Sequence, residues 1–261
     1  MSSAAAETIC IDGKLLGAAE ATISVTDDGL LRGDGVFEMM RLYNGVPFGL
    51  EAHMTRLGRS AQTLRLAIDL DAVRSDIELL LGAADRGDAT LRVLVTRGGR
   101  RISIIEPLPE IPASVALGFV TYAPVRVLDQ VKSLSYAGNM QATRLARERG
   151  YDDALLVTPH GRVLELPTAT LFWARDGELR TPPLTDHVLD SITRRLVLEL
   201  TDARQEETSV EALAGADEAF VASSVREIMA IHRIEETELA PAGPLTLEVA
   251  QDLRERIAAE L

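Results

Sequence analysis

The chain has 261 residues, 46% of them hydrophobic and 26% charged, the proportions of a globular protein with room for one large core or two smaller ones. Its formal net charge of −13 argues against nucleic acid as a partner, because phosphate backbones are bound by basic faces. No apolar run approaches the ~20 residues that span a bilayer, and with Cys10 as the single cysteine neither an internal disulfide nor a thiolate metal centre is expected.

The opening MSSAAAETICIDG lacks the basic start and apolar centre of a signal peptide, so a cytoplasmic protein is expected. In chain order, ICIDGKLL reads as two short strands around Asp12-Gly13, and VFEMMRLYNGVPFGL as a hairpin around Asn44-Gly45. EAHMTRLGRSAQTLRL places Met54, Leu57, Ala61 and Leu64 at helical spacing, and DAVRSDIELLLGAA is a second helix. TLRVLVTRG and SVALGFVTY read as strands, separated by RISIIEPLPEIPAS with its three prolines.

YAPVRVLDQ looks like an extended connection. It divides an N-terminal α/β domain at 1–121 from a C-terminal domain at 129–261, with 122–128 as linker. The second half opens with a strand at VKSLSY and a helix in NMQATRLARERG. Hairpins follow around Pro159-His160-Gly161 and Asp176-Gly177, then a helix at DSITRRLVLELTDA with Asp190 or Ser191 as its cap. EAFVASSVREIMAIHRI gives two more strands, and LTLEVAQDLRERIAAEL a C-terminal amphipathic helix. The class is α+β, two domains with mainly antiparallel sheets and flanking helices.

Of 27 Lys and Arg residues, only Lys14 and Lys132 are lysine. Arginine replaces lysine as a surface cation, but it neither condenses with an aldehyde nor gives up its proton at working pH. A lysine kept in such a chain is therefore a candidate for amine chemistry. Lys14 sits in a turn and reads as an exposed charge, which leaves Lys132. A phosphate-bearing aldehyde cofactor needs an amine, an anion for its ring nitrogen and donors for its phosphate. Lys132 offers the amine, Glu165 at a strand end the anion, and the helix start Ser191-Ile192-Thr193 with the turn Ser223-Ser224 the phosphate donors. Taken singly, each is equally well a strand-end charge, a helix cap or a turn residue.

Six ordered blocks run through nearly the whole chain: DDGLLRGDGVFEMMRLYNG, EAHMTRLGRSA, VKSLSYAGNMQATRLARERGYDDALLV, GRVLELPTATLFWARDGELRTPPL, LDSITRR and DEAFVASSVREIMAI. In these blocks the sequence resembles the fold-type IV pyridoxal-phosphate family, which includes branched-chain and D-amino acid aminotransferases, R-selective amine transaminases and aminodeoxychorismate lyases. The resemblance implies pyridoxal 5'-phosphate as cofactor and Lys132 as the residue that binds it covalently and moves the proton. It implies Glu165 at the ring nitrogen and Tyr136 beside the lysine. Arg56, Ile192, Thr193, Ser223, Ser224 and Val225 would surround the phosphate. It also implies a homodimer that moves an amino group between an amino acid or amine and a 2-oxo acid, with 4-amino-4-deoxychorismate lyase activity as the alternative.

The sequence departs from the family where substrate is chosen. Leu166 and Thr170 alter the loop after Glu165, Arg32 replaces the usual Tyr or Phe before Gly33-Asp34-Gly35, and Met39 fills a position often held by glycine. Arg32 can bind a carboxylate bidentately, or it can point to solvent or pair with Asp34. Arg97 and Arg100, in a loop from which relatives present a carboxylate-binding arginine, join Arg32, Phe37 and Met39 as substrate candidates, with Arg226 a weaker one. Phe37-Glu38 resembles the transaminase pattern, whereas Ser224-Val225-Arg226-Glu227-Ile228 also resembles lyases, though Ser223 stands where many of those have Asn.

Overall fold

A computed structural model describes residues 8–240 and 242–261. Residues 1–7, the part of the opening segment read for a leader, lie outside them. The chain divides into two compact units. The first comprises Met1–Pro109, Val131–Tyr136 and the terminal Leu261, the second Glu110–Gln130 and Ala137–Glu260.

In the first unit, β1 (Thr8–Ile11) and β2 (Lys14–Gly17) are followed by the short helix α1 (Asp28–Arg32), β3 (Gly35–Tyr43) and β4 (Val46–Pro47). Then come α2 (Leu50–Thr63), α3 (Leu70–Ala83), β5 (Ala89–Thr96) and β6 (Arg101–Pro107). The strands form an antiparallel sheet of order β2-β1-β6-β5-β3-β4. The β3–β4 turn is made by Asn44 and Gly45 at φ 49° and 81°, the left-handed pair that a two-residue hairpin needs. Alternate residues of β3 and β5, Val36, Met40, Leu42, Leu91, Val93 and Val95, pack against Met54, Leu57 and Ala61 of α2 and Val73, Ile77 and Leu80 of α3. Cys10 lies in this core, and burial raises its thiol pKa, as suits a small apolar residue.

The second unit is built on β7 (Ser114–Thr121), α4 (Ala137–Glu148), β8 (Asp153–Val157), β9 (Arg162–Val163), β10 (Thr170–Arg175) and β11 (Glu178–Thr181). It continues with α5 (Ile192–Leu200), β12 (Arg204–Gln205), β13 (Thr208–Ser209), α6 (Val210–Leu213), β14 (Glu218–Ser223), β15 (Glu227–Ile234), β16 (Thr237–Glu238) and α7 (Pro244–Glu260). The sheet order is β12-β11-β10-β14-β15-β7-β8-β9-β13, with β16 on β15. Because both faces of its centre are covered, β10 and β14 are buried at successive residues. Leu171, Trp173 and Val221 enter one core. Phe172 and Phe220, stacked at 5.2 Å, enter another with Val197 of α5 and Val249 of α7.

Three expectations change. Arg101–Pro107, read as part of a proline-rich connection, is strand β6, paired with both β1 and β5. Its prolines lie at or beyond the strand's last residue, where a missing N–H does no harm. SVALGFVTY belongs to the second unit, since β7 pairs in parallel with β8 and β15. The second sheet is therefore mixed, and the division falls after Pro109 and not at 122–128. VKSLSY is an irregular extended segment of the first unit, joined to β3 by a single bridge between Val36 and Ser133.

Candidate active site

The segment carrying Lys132 is held on both sides of that residue. Phe37 N–H donates to the Lys132 carbonyl at 3.0 Å, Leu134 N–H to the Gly35 carbonyl at 2.9 Å, and Lys132 N–H to Ser60 Oγ at 3.2 Å. Gly33 and Gly35 permit this approach. A Cβ on Gly35 would lie 2.5 Å from the Val95 carbonyl oxygen and 2.6 Å from Leu134 Cδ1, and one on Gly33, at φ 66°, would lie 3.1 Å from Ser135 Cα. The side chain of Lys132 is half-buried. Its Nζ lies 4.3 Å from the Phe37 ring centroid and 5.7 Å from that of Tyr136, and the two rings meet edge to face at 5.2 Å. An aromatic corner thus positions the amine.

On the opposite face of β3, Glu38 is fully buried and accepts from Arg56 Nε and Nη2 at 2.7 Å each, and from His53 Nδ1 at 2.7 Å. Burial pushes the Glu38 pKa up, but the charge and hydrogen bonds of Arg56 and the hydrogen bond from His53 outweigh it and bring it to about 2. Burial, aided by the charges of Arg56 and Lys132, lowers the His53 pKa against the pull of Glu38. Facing a carboxylate that can only accept, His53 donates through Nδ1. His53, Arg56 and Ser60 stand at i, i+3 and i+7 on α2, one helix face. Of these three only Arg56 is a candidate by resemblance, although the shared helix face is visible in the spacing of HMTRLGRS.

In the second unit, Glu165 follows β9. Its carbonyl accepts from Leu156 N–H at 3.0 Å, and its Oε1 accepts from Leu189 N–H at 3.0 Å. The carboxylate's orientation is thus set by backbone. Its charge, after burial, raises the pKa of Tyr122. Ser191 caps α5, its side chain accepting from Arg194 N–H at 3.3 Å. The N–H groups of Ile192 and Thr193, first in the helix, have no acceptor among the described residues, and such a terminus is an anion site in geometry and dipole. In the turn after β14, Ser223 Oγ accepts from Arg226 N–H at 3.2 Å, with Ser224 and Val225 between them. Arg226 reaches Asp153 Oδ2 at 3.4 Å and also donates to Thr168 in the loop after Glu165. Arg226, a weaker substrate candidate by sequence, thus ties the two loops together, a link that no local motif announces.

The arginines expected to meet substrate separate by environment. Arg97 gives Nε and Nη2 to Asp34 at 2.8 and 3.1 Å, and Nη1 and Nη2 to the Arg65 and Leu64 carbonyls at 2.9 and 2.8 Å. It closes the C-terminal end of α2. Arg100 pairs with Asp12 at 2.5 Å. Arg32, in the last turn of α1, has a side chain 67% exposed and pairs with Asp28, one helical turn back, and not with Asp34. Phe37 and Met39 point to the same face of β3, Phe37 buried and Met39 half-buried.

The amino-transferase class IV family matches residues 35–234, most of the chain. The chain belongs to the class IV aminotransferase family. Among curated relatives, a putative branched-chain-amino-acid aminotransferase of Methanocaldococcus jannaschii is 33% identical, covering 87% of this chain and 88% of the relative. An aminodeoxychorismate lyase of Bacillus subtilis is 29% identical, covering 87% of each. A solved structure, the pyridoxal-phosphate form of a branched-chain amino acid aminotransferase from Thermobaculum terrenum, superimposes with a TM-score of 0.86 at 27% identity, over 97% of this chain and 94% of that one.

Class IV enzymes depend on pyridoxal 5'-phosphate, which is the cofactor of this one. The residues present fit it. One unit offers a primary amine on an aromatic corner, the other a backbone-oriented carboxylate and two helix N–H groups without acceptors. Among the described residues no helix is long and apolar enough to cross a membrane, and no cluster of metal-ligating side chains occurs.

Proposed function

We propose that this class IV enzyme is a transaminase in which Lys132 is the catalytic residue, and that it moves an amino group from an amino acid or amine to a 2-oxo acid. The observation that carries the proposal is the placement of the Lys132 amine, with its main chain pinned to β3 and α2 and its Nζ set on the Phe37 ring. Lys132 would hold the cofactor through Nζ and Glu165 would face its ring nitrogen. Arg56, Ile192, Thr193, Ser223, Ser224 and Val225 would serve its phosphate, with Tyr136 flanking the lysine. The family assignment and the internal geometry of each cluster support these roles.

The cofactor, when bound, supplies an electron sink for the bond broken at the substrate Cα. Nζ of Lys132, once free, would take the proton from that carbon and deliver it to the cofactor's aldehyde carbon, the transfer that separates transamination from racemisation. Phe37 and Tyr136 keep Nζ directed and limit water around it. Glu165, oriented by the Leu189 N–H, would supply the anion that favours a protonated ring nitrogen. Arg32, Phe37 and Met39 would meet the substrate, with Arg32 taking a carboxylate. Arg97 and Arg100, already held by Asp34 and Asp12, serve by shaping the loop that carries them.

Lyase action on aminodeoxychorismate is the second reading, favoured by the Ser224–Ile228 segment and the Bacillus subtilis relative. Transamination is preferred because Phe37-Glu38 is followed by Met39, where lyases more often carry a hydroxyl. We further propose a homodimer working in the cytoplasm, on the family resemblance. Elution of fully active protein as a monomer would refute the dimer. The test of function is a half-reaction screen in which loaded protein is mixed in turn with L-amino acids, D-amino acids, R-amines and aminodeoxychorismate. Bleaching of the visible band with release of a 2-oxo acid is expected. Release of pyruvate and an aromatic amine from aminodeoxychorismate alone would establish the lyase.

A further inference from the structure

Arg194 is the third residue of α5 and only 2% exposed. Its Nη2 donates to the Pro182 carbonyl and to Gln205 Oε1, both at 3.0 Å, and both acceptors are neutral. Its Nε is buried without any hydrogen-bond partner. Among the described residues no carboxylate forms an ion pair with it, in a chain where most arginines have one. Burial accordingly lowers its pKa, and the anions that act on it, Asp190 and Glu165, do so only through space.

Those two anions have other duties. Asp190 is gripped by Arg195 through Nε at 2.7 Å and through Nη2. Glu165 is turned toward the Leu189 N–H and, in the proposed function, balances a protonated ring nitrogen. The start of α5 is therefore left with one uncompensated interior positive charge, added to the positive end of the helix dipole. A buried guanidinium without a counter-charge is costly, and its neighbours Ile192 and Thr193 present two N–H groups without acceptors.

We propose that Arg194 is a positioning residue for the cofactor's phosphate, whose dianion is the missing counter-charge of this buried guanidinium. This rests on the reading that the start of α5 receives that phosphate. Arg194 has its Nη2 committed to protein acceptors, so its role is one of positioning. It fixes the first turn of α5 to Pro182 and Gln205 and biases that turn toward a dianion. Arg56 is unlike it in having Glu38 as its own buried anion.

The test compares pyridoxal phosphate with pyridoxal, which lacks the phosphate, as ligands of wild type, Arg194→Gln and Arg194→Lys, by spectroscopic titration. Arg194→Gln should weaken pyridoxal phosphate about tenfold or more, a loss of about 1.4 kcal/mol, and leave pyridoxal unchanged. Arg194→Lys, which keeps the charge, should recover part of the preference for the phosphate form. Equal weakening of both ligands, or no change in their ratio, would overturn the proposal. A second measurement needs no variant. In the wild-type holoenzyme, phosphorus NMR should find the cofactor phosphate dianionic well below its ordinary second pKa of about 6. Titration of the bound phosphate at that ordinary value would also overturn the proposal. Failure of wild type to bind pyridoxal phosphate at all would instead defeat the proposed function, and this inference with it.

Discussion

Glu38 and Arg56 meet through two hydrogen bonds of 2.7 Å, both side chains inside the first unit. Two parallel N–H···O contacts fix the plane of the guanidinium as well as its place. Glu38→Ala leaves Arg56 buried and uncompensated and should cost about 3–5 kcal/mol of stability. Glu38→Gln, which keeps one acceptor, should cost less and weaken cofactor binding through a misdirected Arg56. Urea unfolding and cofactor titration measure the two effects. A Glu38→Ala protein as stable as wild type would show that the pair has no such role.

The same cluster sets a pH dependence. Glu38 has a folded pKa of about 2, below its ordinary 4.5, so the folded state binds fewer protons than the unfolded one between those values. Its contribution is complete above 4.5 and is lost as pH falls toward 2. His53 is also lowered, from 6.5, so stability begins to decline as soon as pH drops below 6.5. Urea midpoints should fall in two stages on acidification. His53→Gln should remove the upper stage and leave the lower. An unchanged upper stage in that variant would contradict the assignment.

Arg32 and Arg97 should respond differently to truncation. Arg32→Ala should raise the KM for dicarboxylic or 2-oxo acid substrates about tenfold, the worth of one charged hydrogen-bonded contact, with little effect on unfolding. Arg97→Ala, which frees Asp34 and the Leu64 and Arg65 carbonyls, should lower the urea midpoint with KM nearly constant. A large KM rise for Arg97→Ala without loss of stability would reverse the two roles.

Gly35→Ala puts a methyl group 2.5 Å from the Val95 carbonyl oxygen and 2.6 Å from Leu134 Cδ1. The overlap should cost about 1–3 kcal/mol and shift the Lys132 segment off β3. A slower approach to the visible cofactor band in stopped-flow mixing is the expected readout, and a wild-type rate would contradict it.

The hairpins were legible because their turns are chemically explicit. Asp12-Gly13, Asn44-Gly45 and Asp176-Gly177 all adopt the positive φ that their residue types favour. Lys132 was legible because arginine replaced nearly every other lysine. The alternation in the Lys132 segment predicts a strand, but only one bridge forms, made by the Phe37 N–H to Lys132 carbonyl and Leu134 N–H to Gly35 carbonyl bonds around Val36 and Ser133, and the Lys132 N–H goes to Ser60 Oγ instead of extending a ladder. β6 was obscured by prolines that lie at or beyond its end. The Glu38–His53–Arg56 cluster is non-local, and pairing of β3 against α2 does not show in spacing along either element. The uncompensated charge of Arg194 was hidden for a related reason, because burial and the absence of a partner are properties of packing and not of the string SITRR.

The most direct test of the central claim uses the chain's two lysines. Protein loaded with pyridoxal phosphate is reduced with borohydride, digested, and mapped by mass spectrometry for the phosphopyridoxyl group. The expected result is one modified site, Lys132, with loss of the visible band and loss of the label in Lys132→Ala. Labelling of Lys14 instead, or a wild-type-like label and activity in Lys132→Ala, would contradict it.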